Sequence, residues 1–154
     1  MNRLSLFSCC AGLFMIFSFF PGCCTTTQII KDKNLPEVKI EMLNAWLNLM
    51  PGGPGSFHVS GTISVIPDSL DEIKSFLVEE ILIFKDMKPV YAFIPELNRH
   101  EKDGKIMIDF YSKDEMKIKN EILDSDSVKV SLKLSAGSKQ SVLLNRTVKL
   151  ERAY

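Results

Sequence analysis

Phe57-His58-Val59-Ser60-Gly61-Thr62-Ile63-Ser64-Val65 alternates between two kinds of side chain without a slip. Successive side chains of an extended strand point to opposite faces. The run therefore offers one face to a core (Phe57, Val59, Gly61, Ile63, Val65) and one to water (His58, Ser60, Thr62, Ser64). A strand with only one apolar face needs a partner layer, and the rest of the chain is read for strands that could supply it.

Val38, Ile40 and Met42 alternate with Lys39 and Glu41 on the N-terminal side. The phase slips at Leu43-Asn44, and Ala45, Leu47 and Leu49 then share a face, which predicts a bulge or a change of sheet. Met50-Pro51-Gly52-Gly53-Pro54-Gly55-Ser56 reads as the loop joining these two strands. On the C-terminal side, Ser69-Leu70-Asp71-Glu72 fits a capping box and predicts a helical turn near Ser69–Ser75. A hairpin follows, from Phe76–Phe84 through Lys85-Asp86-Met87-Lys88 into Pro89–Ile94. Asp103-Gly104 signals a turn into the strand Lys105–Tyr111. The stretch from Ser112 to Asn120 reads as a loop or one helical turn. Val128, Val130, Leu132 and Leu134 form another alternating set, and Val142, Leu144, Val148 and Leu150 close the series with Arg146 interrupting the stripe.

About seven strands, short turns and no long helix make the class all-β. Two packed antiparallel sheets are the expected way to bury so many one-sided strands. The pattern resembles the immunoglobulin-like and fibronectin type III families of sandwiches. Its closest local match is Leu123-Asp124-Ser125-Asp126-Ser127-Val128-Lys129-Val130. That stretch looks like the turn before the penultimate strand, where an apolar residue plugs the core. Paired cysteines are missing, and Trp46 precedes the clean strand instead of following it.

The start of the chain obeys different rules. Arg3 is followed by 17 uncharged residues, Leu4 to Phe20, and then by Pro21-Gly22. A basic start, an apolar middle and a small residue before a break form the pattern of a secretory signal peptide over residues 1–22. An uncleaved membrane anchor is the rival, since 17 residues reach the lower limit for spanning. Phe20-Pro21-Gly22-Cys23 resembles a bacterial lipobox, with Gly22 as the expected small residue. The resemblance implies lipidation of Cys23 and attachment to the membrane through it. Two or three acyl chains hold a protein stably where one does not. Residues 23–34 are then the lipidated N-terminus and a polar tether, and 35–154 the domain. Ile29-Ile30 could instead begin a first strand. All four cysteines fall within the first 24 residues, so the domain has neither an internal disulfide nor a thiolate metal site.

Composition excludes more than it identifies. The chain has 19 basic and 19 acidic residues. That balance gives no electrostatic case for nucleic acid. His58 and His100 are the only histidines, 42 positions apart, which is no metal-ligand spacing. Asp68, Asp71 and Glu72, or Glu121, Asp124 and Asp126, could group as oxygen ligands, but neither run has the glycine and terminal glutamate of a calcium loop. No nucleophile stands with a base and an orienting group in a recognisable motif, so the expectation is a protein that is not an enzyme and needs no cofactor. The 50–56 loop is the natural recognition tip, because loops at the ends of sandwiches commonly carry binding. Trp46, Met50, Phe57 and His58 flank it as candidate interface residues. The leading expectation is a lipid-anchored, protein- or glycan-binding accessory module of a bacterial cell envelope. The alternative is a periplasmic protein for a small ligand or a metal (copper or calcium), with His58 the first ligand to test.

Overall fold

The computed structural model describes residues 28–29, 37–66, 76–113, 116–136 and 140–154. The expected helical turn near Ser69–Ser75 lies outside them, as do the expected leader, Cys23 and most of the segment expected to be a tether. Within them the chain is nearly all β. The strands are β1 (Gln28–Ile29), β2 (Glu37–Asn48), β3 (Ser56–Ile66), β4 (Phe76–Lys85), β5 (Lys88–Phe93), β6 (Glu96–Lys102), β7 (Lys105–Tyr111), β8 (Met116–Lys117), β9 (Ser127–Ala136) and β10 (Gln140–Ala153). One short helix, α1 (Asn120–Leu123), precedes β9. Among the described residues no helix is long and apolar enough to cross a membrane.

Eight strands follow one another in the order β5-β4-β9-β10-β2-β3-β7-β6, with β1 beside β10 and β8 beside β3. The sequence predicts two separate antiparallel sheets, whereas the strands form a single curled sheet, a half-barrel. The join is β10. Over Gln140–Lys149 it pairs antiparallel with β9, and over Leu150–Ala153 it pairs parallel with Ala45–Asn48 of β2. A strand of 14 residues that changes partner along its length carries the right-handed twist of one half into the other.

Arg146 finds its reason here. It stands just before the changeover, where β2 is not yet paired with β10, and its Nη1 donates to the Ile40 carbonyl at 3.4 Å. The interruption in the apolar stripe thus serves an acceptor that the ladder leaves over.

The concave side is filled by Leu47, Phe57, Ile63, Ile81, Ile83, Ile108, Phe110, Leu132 and Leu144, all essentially inaccessible to solvent. The register of β2 shifts at Glu41, between Ile40 and Met42, slightly before the expected slip at Leu43-Asn44. Ile122 of α1 is fully buried and plugs the core beneath β9, while Leu123 stays partly exposed. Phe76–Phe84 is strand, and it turns through Asp86 and Met87 into β5 as the hairpin reading requires. Strand β6 has no counterpart in the sequence reading. It lies at the sheet edge and is exposed along nearly its whole length, so no apolar alternation marks it.

Candidate functional site

Trp46 and His58 stand directly opposite each other in the β2–β3 register. Both alternate with core residues, Ala45 and Leu47 on one strand and Phe57 and Val59 on the other, so both belong to the side of the sheet turned away from the core. Their rings stack with centroids 5.1 Å apart and planes inclined by 14°. The His58 ring is held from below as well, its Nε2 lying 2.7 Å from the Ser56 hydroxyl. Such a cross-strand ring pair contributes about 0.5–1.5 kcal/mol beyond the area it buries.

The other two loop-flanking residues go elsewhere. Phe57 is fully buried and stacks on Tyr91, so its ring belongs to the core, as its place in the alternation implies. Met50 is 56% exposed at the loop tip, with its N–H donating to Asn48 Oδ1 at 3.2 Å. The loop folds back at Gly55, where φ is +72° and an added Cβ would meet Ile118 Cδ1 at 2.8 Å. Only glycine combines that φ with so close an approach.

Beyond the ring pair, the same face of β2, β3, β7 and β6 is a polar network. Thr62 Oγ1 donates to Asp109 Oδ1 at 2.7 Å, and His100 Nδ1 lies 3.4 Å from Asp109 Oδ2. His100 stands on β6, opposite Met107. Ser64 Oγ donates to Glu41 Oε1 at 2.7 Å, and Lys39 Nζ lies 2.9 Å from Oε2. The Ser64 hydrogen bond, then the Lys39 ammonium, holds the Glu41 carboxyl below its ordinary range. Tyr111 is pushed up, first by its hydrogen bond to Glu96 and then by that carboxylate's charge.

The chemistry these contacts can perform is limited by their order. In a hydrolytic relay the imidazole stands between hydroxyl and carboxylate, whereas here Asp109 stands between Thr62 and His100. Ser56 and His58 are within hydrogen-bond reach, but the Ser56 side of the pair is buried, and a nucleophile has to be reached by its substrate. Among the described residues no group of three or more His, Cys, Asp or Glu side chains converges to hold a metal. Glu121 lies in α1, Asp124 caps its end, and Asp126 gives its carbonyl to the Leu150 N–H at 2.8 Å. Asp68, Asp71 and Glu72 lie outside the described residues.

Sequence reading singled out Trp46 and His58 but not their contact, nor the row Glu41, Ser64, Thr62 and Asp109 beside them. Strand register alone brings that row together, and only the alternation of polar residues along β3 hinted at it. Set against protein-family models, curated proteins and solved structures, the chain matches none of them.

Proposed function

We propose that the protein is a non-enzymatic binding module of a bacterial cell envelope. An immunoglobulin-like domain is tied to the membrane through a lipid on Cys23 and presents the Trp46–His58 face to an envelope protein or glycan. The stacked ring pair carries this reading. It sets an aromatic surface, held by register and by Ser56, beside a row of hydroxyl, carboxylate and imidazole groups. Aromatic rings with adjacent hydrogen-bonding groups suit partners that offer both apolar and polar surface.

The strand order supports the immunoglobulin-like reading. Counted in chain order over these eight strands, β2-β3-β7-β6 runs first-second-sixth-fifth and β10-β9-β4-β5 runs eighth-seventh-third-fourth, the A-B-E-D and G-F-C-C′ orders of such sheets. Within the Leu123–Val130 match the turn residue Leu123 is 39% exposed, and the buried plug is its neighbour Ile122, one position before the matched stretch.

Trp46 is the sole tryptophan, so its emission reports on the face directly. The test titrates the protein with soluble peptidoglycan fragments and neutral oligosaccharides, beside photo-crosslinking from position 44 in intact cells. A saturable emission change, or one defined crosslinked protein, is expected, and His58→Ala should abolish it. Silence in both assays overturns the binding face. For the anchor, Cys23→Ser should abolish metabolic labelling with palmitate and release the protein from membranes; unchanged retention and labelling reject it.

A further inference from the structure

We infer that the end of the domain carrying Met50, Met87 and Tyr154 rests on the lipid surface in which Cys23 is anchored; this rests on the lipid-anchor reading above. Three observations converge on it.

The first is the direction of the chain. Strand β1 pairs antiparallel with β10, Gln28 opposite Asn145 and Ile29 opposite Leu144. The chain therefore enters β1 from the side on which β10 ends. Cys23 precedes Gln28 by five residues, a reach of at most about 18 Å. Along β10, Asn145 to Ala153 covers about 27 Å. The reach of at most about 18 Å from Gln28 thus allows a lipid on Cys23 to come within about 10 Å of the end of β10.

The second is what that end presents. Ala153 pairs with Asn48, so the β2–β3 loop with Met50 is there. The β4–β5 turn is there too, because Phe84 pairs with Lys129 at the start of β9, and Phe57 contacts Tyr91. Met50 is 56%, Met87 93% and Tyr154 81% exposed. At the opposite end the described turn Glu101-Lys102-Asp103-Gly104 has no apolar side chain, and Ile66 and Leu77, where β3 ends and β4 begins, are 42% and 47% exposed, less than Met87 or Tyr154. Methionine is flexible enough to enter the acyl boundary, and tyrosine favours the headgroup level.

The third is a local conflict at the tip. Asp86 and Met87 have φ of +49° and +66°, the two positive values of a type I′ turn. Asn, Asp and Gly suit such positions; an exposed methionine does not, and it gains no packing there in return. Broken local rules of this kind mark functional positions.

Charge does not drive the contact. Lys85, Lys88, Lys117 and Lys119 are balanced at this end by Asp86, Glu121, Asp124 and Asp126. The anchor supplies the encounter, since a short tether raises the local concentration to the order of millimolar. The apolar tips then set orientation, and the Trp46–His58 face is left turned sideways, toward neighbours in the same membrane.

The full chain, purified from membranes and placed in phosphatidylcholine vesicles with brominated acyl chains, tests this. Met50→Trp, Met87→Trp and Lys102→Trp, each with Trp46→Phe, serve as depth probes, with melting curves to show that each is folded. Tryptophan at 50 and 87 should be quenched severalfold more than at 102, and the difference should survive about 1 M salt, where the screening length is roughly 3 Å. Equal quenching, stronger quenching at 102 or loss of the difference in salt overturns the orientation. Mass measurement of the same preparation separates the two readings. An acylated Cys23 without selective quenching rejects the orientation and leaves the anchor standing. An unacylated Cys23 rejects the anchor, and the orientation with it.

Discussion

The ring of Phe57 on β3 stacks on the ring of Tyr91 on β5, with centroids 4.9 Å apart and planes inclined by 23°. These strands lie in opposite halves of the curled sheet, so the pair ties one half to the other across the core. Tyr91 adds polar ties, its hydroxyl donating to the Lys117 carbonyl at 2.8 Å and accepting from the Lys119 N–H at 2.9 Å. The Lys119 ammonium lies 4.8 Å from the ring centroid and donates to the Val90 carbonyl.

Tyr91→Phe keeps the stack and removes both hydroxyl bonds. It should cost about 0.5–1.5 kcal/mol, the net worth of the part-buried hydrogen bonds to Lys117 and Lys119, because these exposed backbone groups can turn to water instead. Phe57→Ala should cost about 3–5 kcal/mol, a large share of the stability of a domain this size. Urea melts of the two variants check the ranking. A Tyr91→Phe variant as damaged as Phe57→Ala would mean that the hydroxyl, rather than the stack, holds the halves together.

Gly61 sits in mid-strand on the core side of β3, under the Phe110 ring. A Cβ there would lie 2.5 Å from Phe110 Cζ and 2.6 Å from the Met42 carbonyl oxygen. Gly61→Ala should therefore destabilise by roughly 1–3 kcal/mol, despite alanine's better strand entropy. Gly53→Ala, which meets nothing within 4 Å, is the control and should melt like the parent.

Trp46→Ala, His58→Ala and the double variant form a thermodynamic cycle. A coupling of about 0.5–1.5 kcal/mol is expected from the stacked rings. Additive losses would show that the stack does not persist in solution.

Acid and alkali should act through different groups. Glu41 is held below its ordinary 4.5 by Ser64 and then Lys39, and Glu79 by Lys133 and then Ser135. Groups depressed on folding contribute stability above their unfolded value, and lose it as pH falls through the folded one. Glu41→Gln should therefore flatten the decline of melting temperature below about pH 4.5. Tyr91, raised by burial first, contributes in the other direction. Its share is complete below about pH 10 and is lost as pH rises, so Tyr91→Phe should flatten the alkaline decline. Parallel pH curves for variant and parent would contradict either assignment.

Legibility of the fold follows burial. Strand β3 is readable because Phe57, Val59, Ile63 and Val65 are buried while His58, Ser60 and Thr62 on the other face are partly exposed; Ser64, buried in its bond to Glu41, breaks only the burial pattern and not the apolar one. Strand β4 carries apolar residues on both faces, so alternation marks it less cleanly than β3, and its place between β9 and β5 comes from pairing alone. Strand β6 was invisible, since an exposed edge imposes no pattern on its side chains. The strand at Gln28–Ile29 fell inside the segment read as tether, with Ile29 noted as its candidate start.

By itself the sequence determined the class: period-two alternation, with turns rich in Gly, Pro and Asp, permits little but strands. It also set the first 24 residues apart by composition, since they hold every cysteine, and named Trp46 and His58. Tertiary structure alone decided that the strands form one curled sheet, that Phe57 faces Tyr91 while His58 faces Trp46, and that Met50 and Met87 share an end. The physical reason is that alternation is local, whereas register and strand order are contacts between residues far apart in the chain, which only the folded sheet supplies.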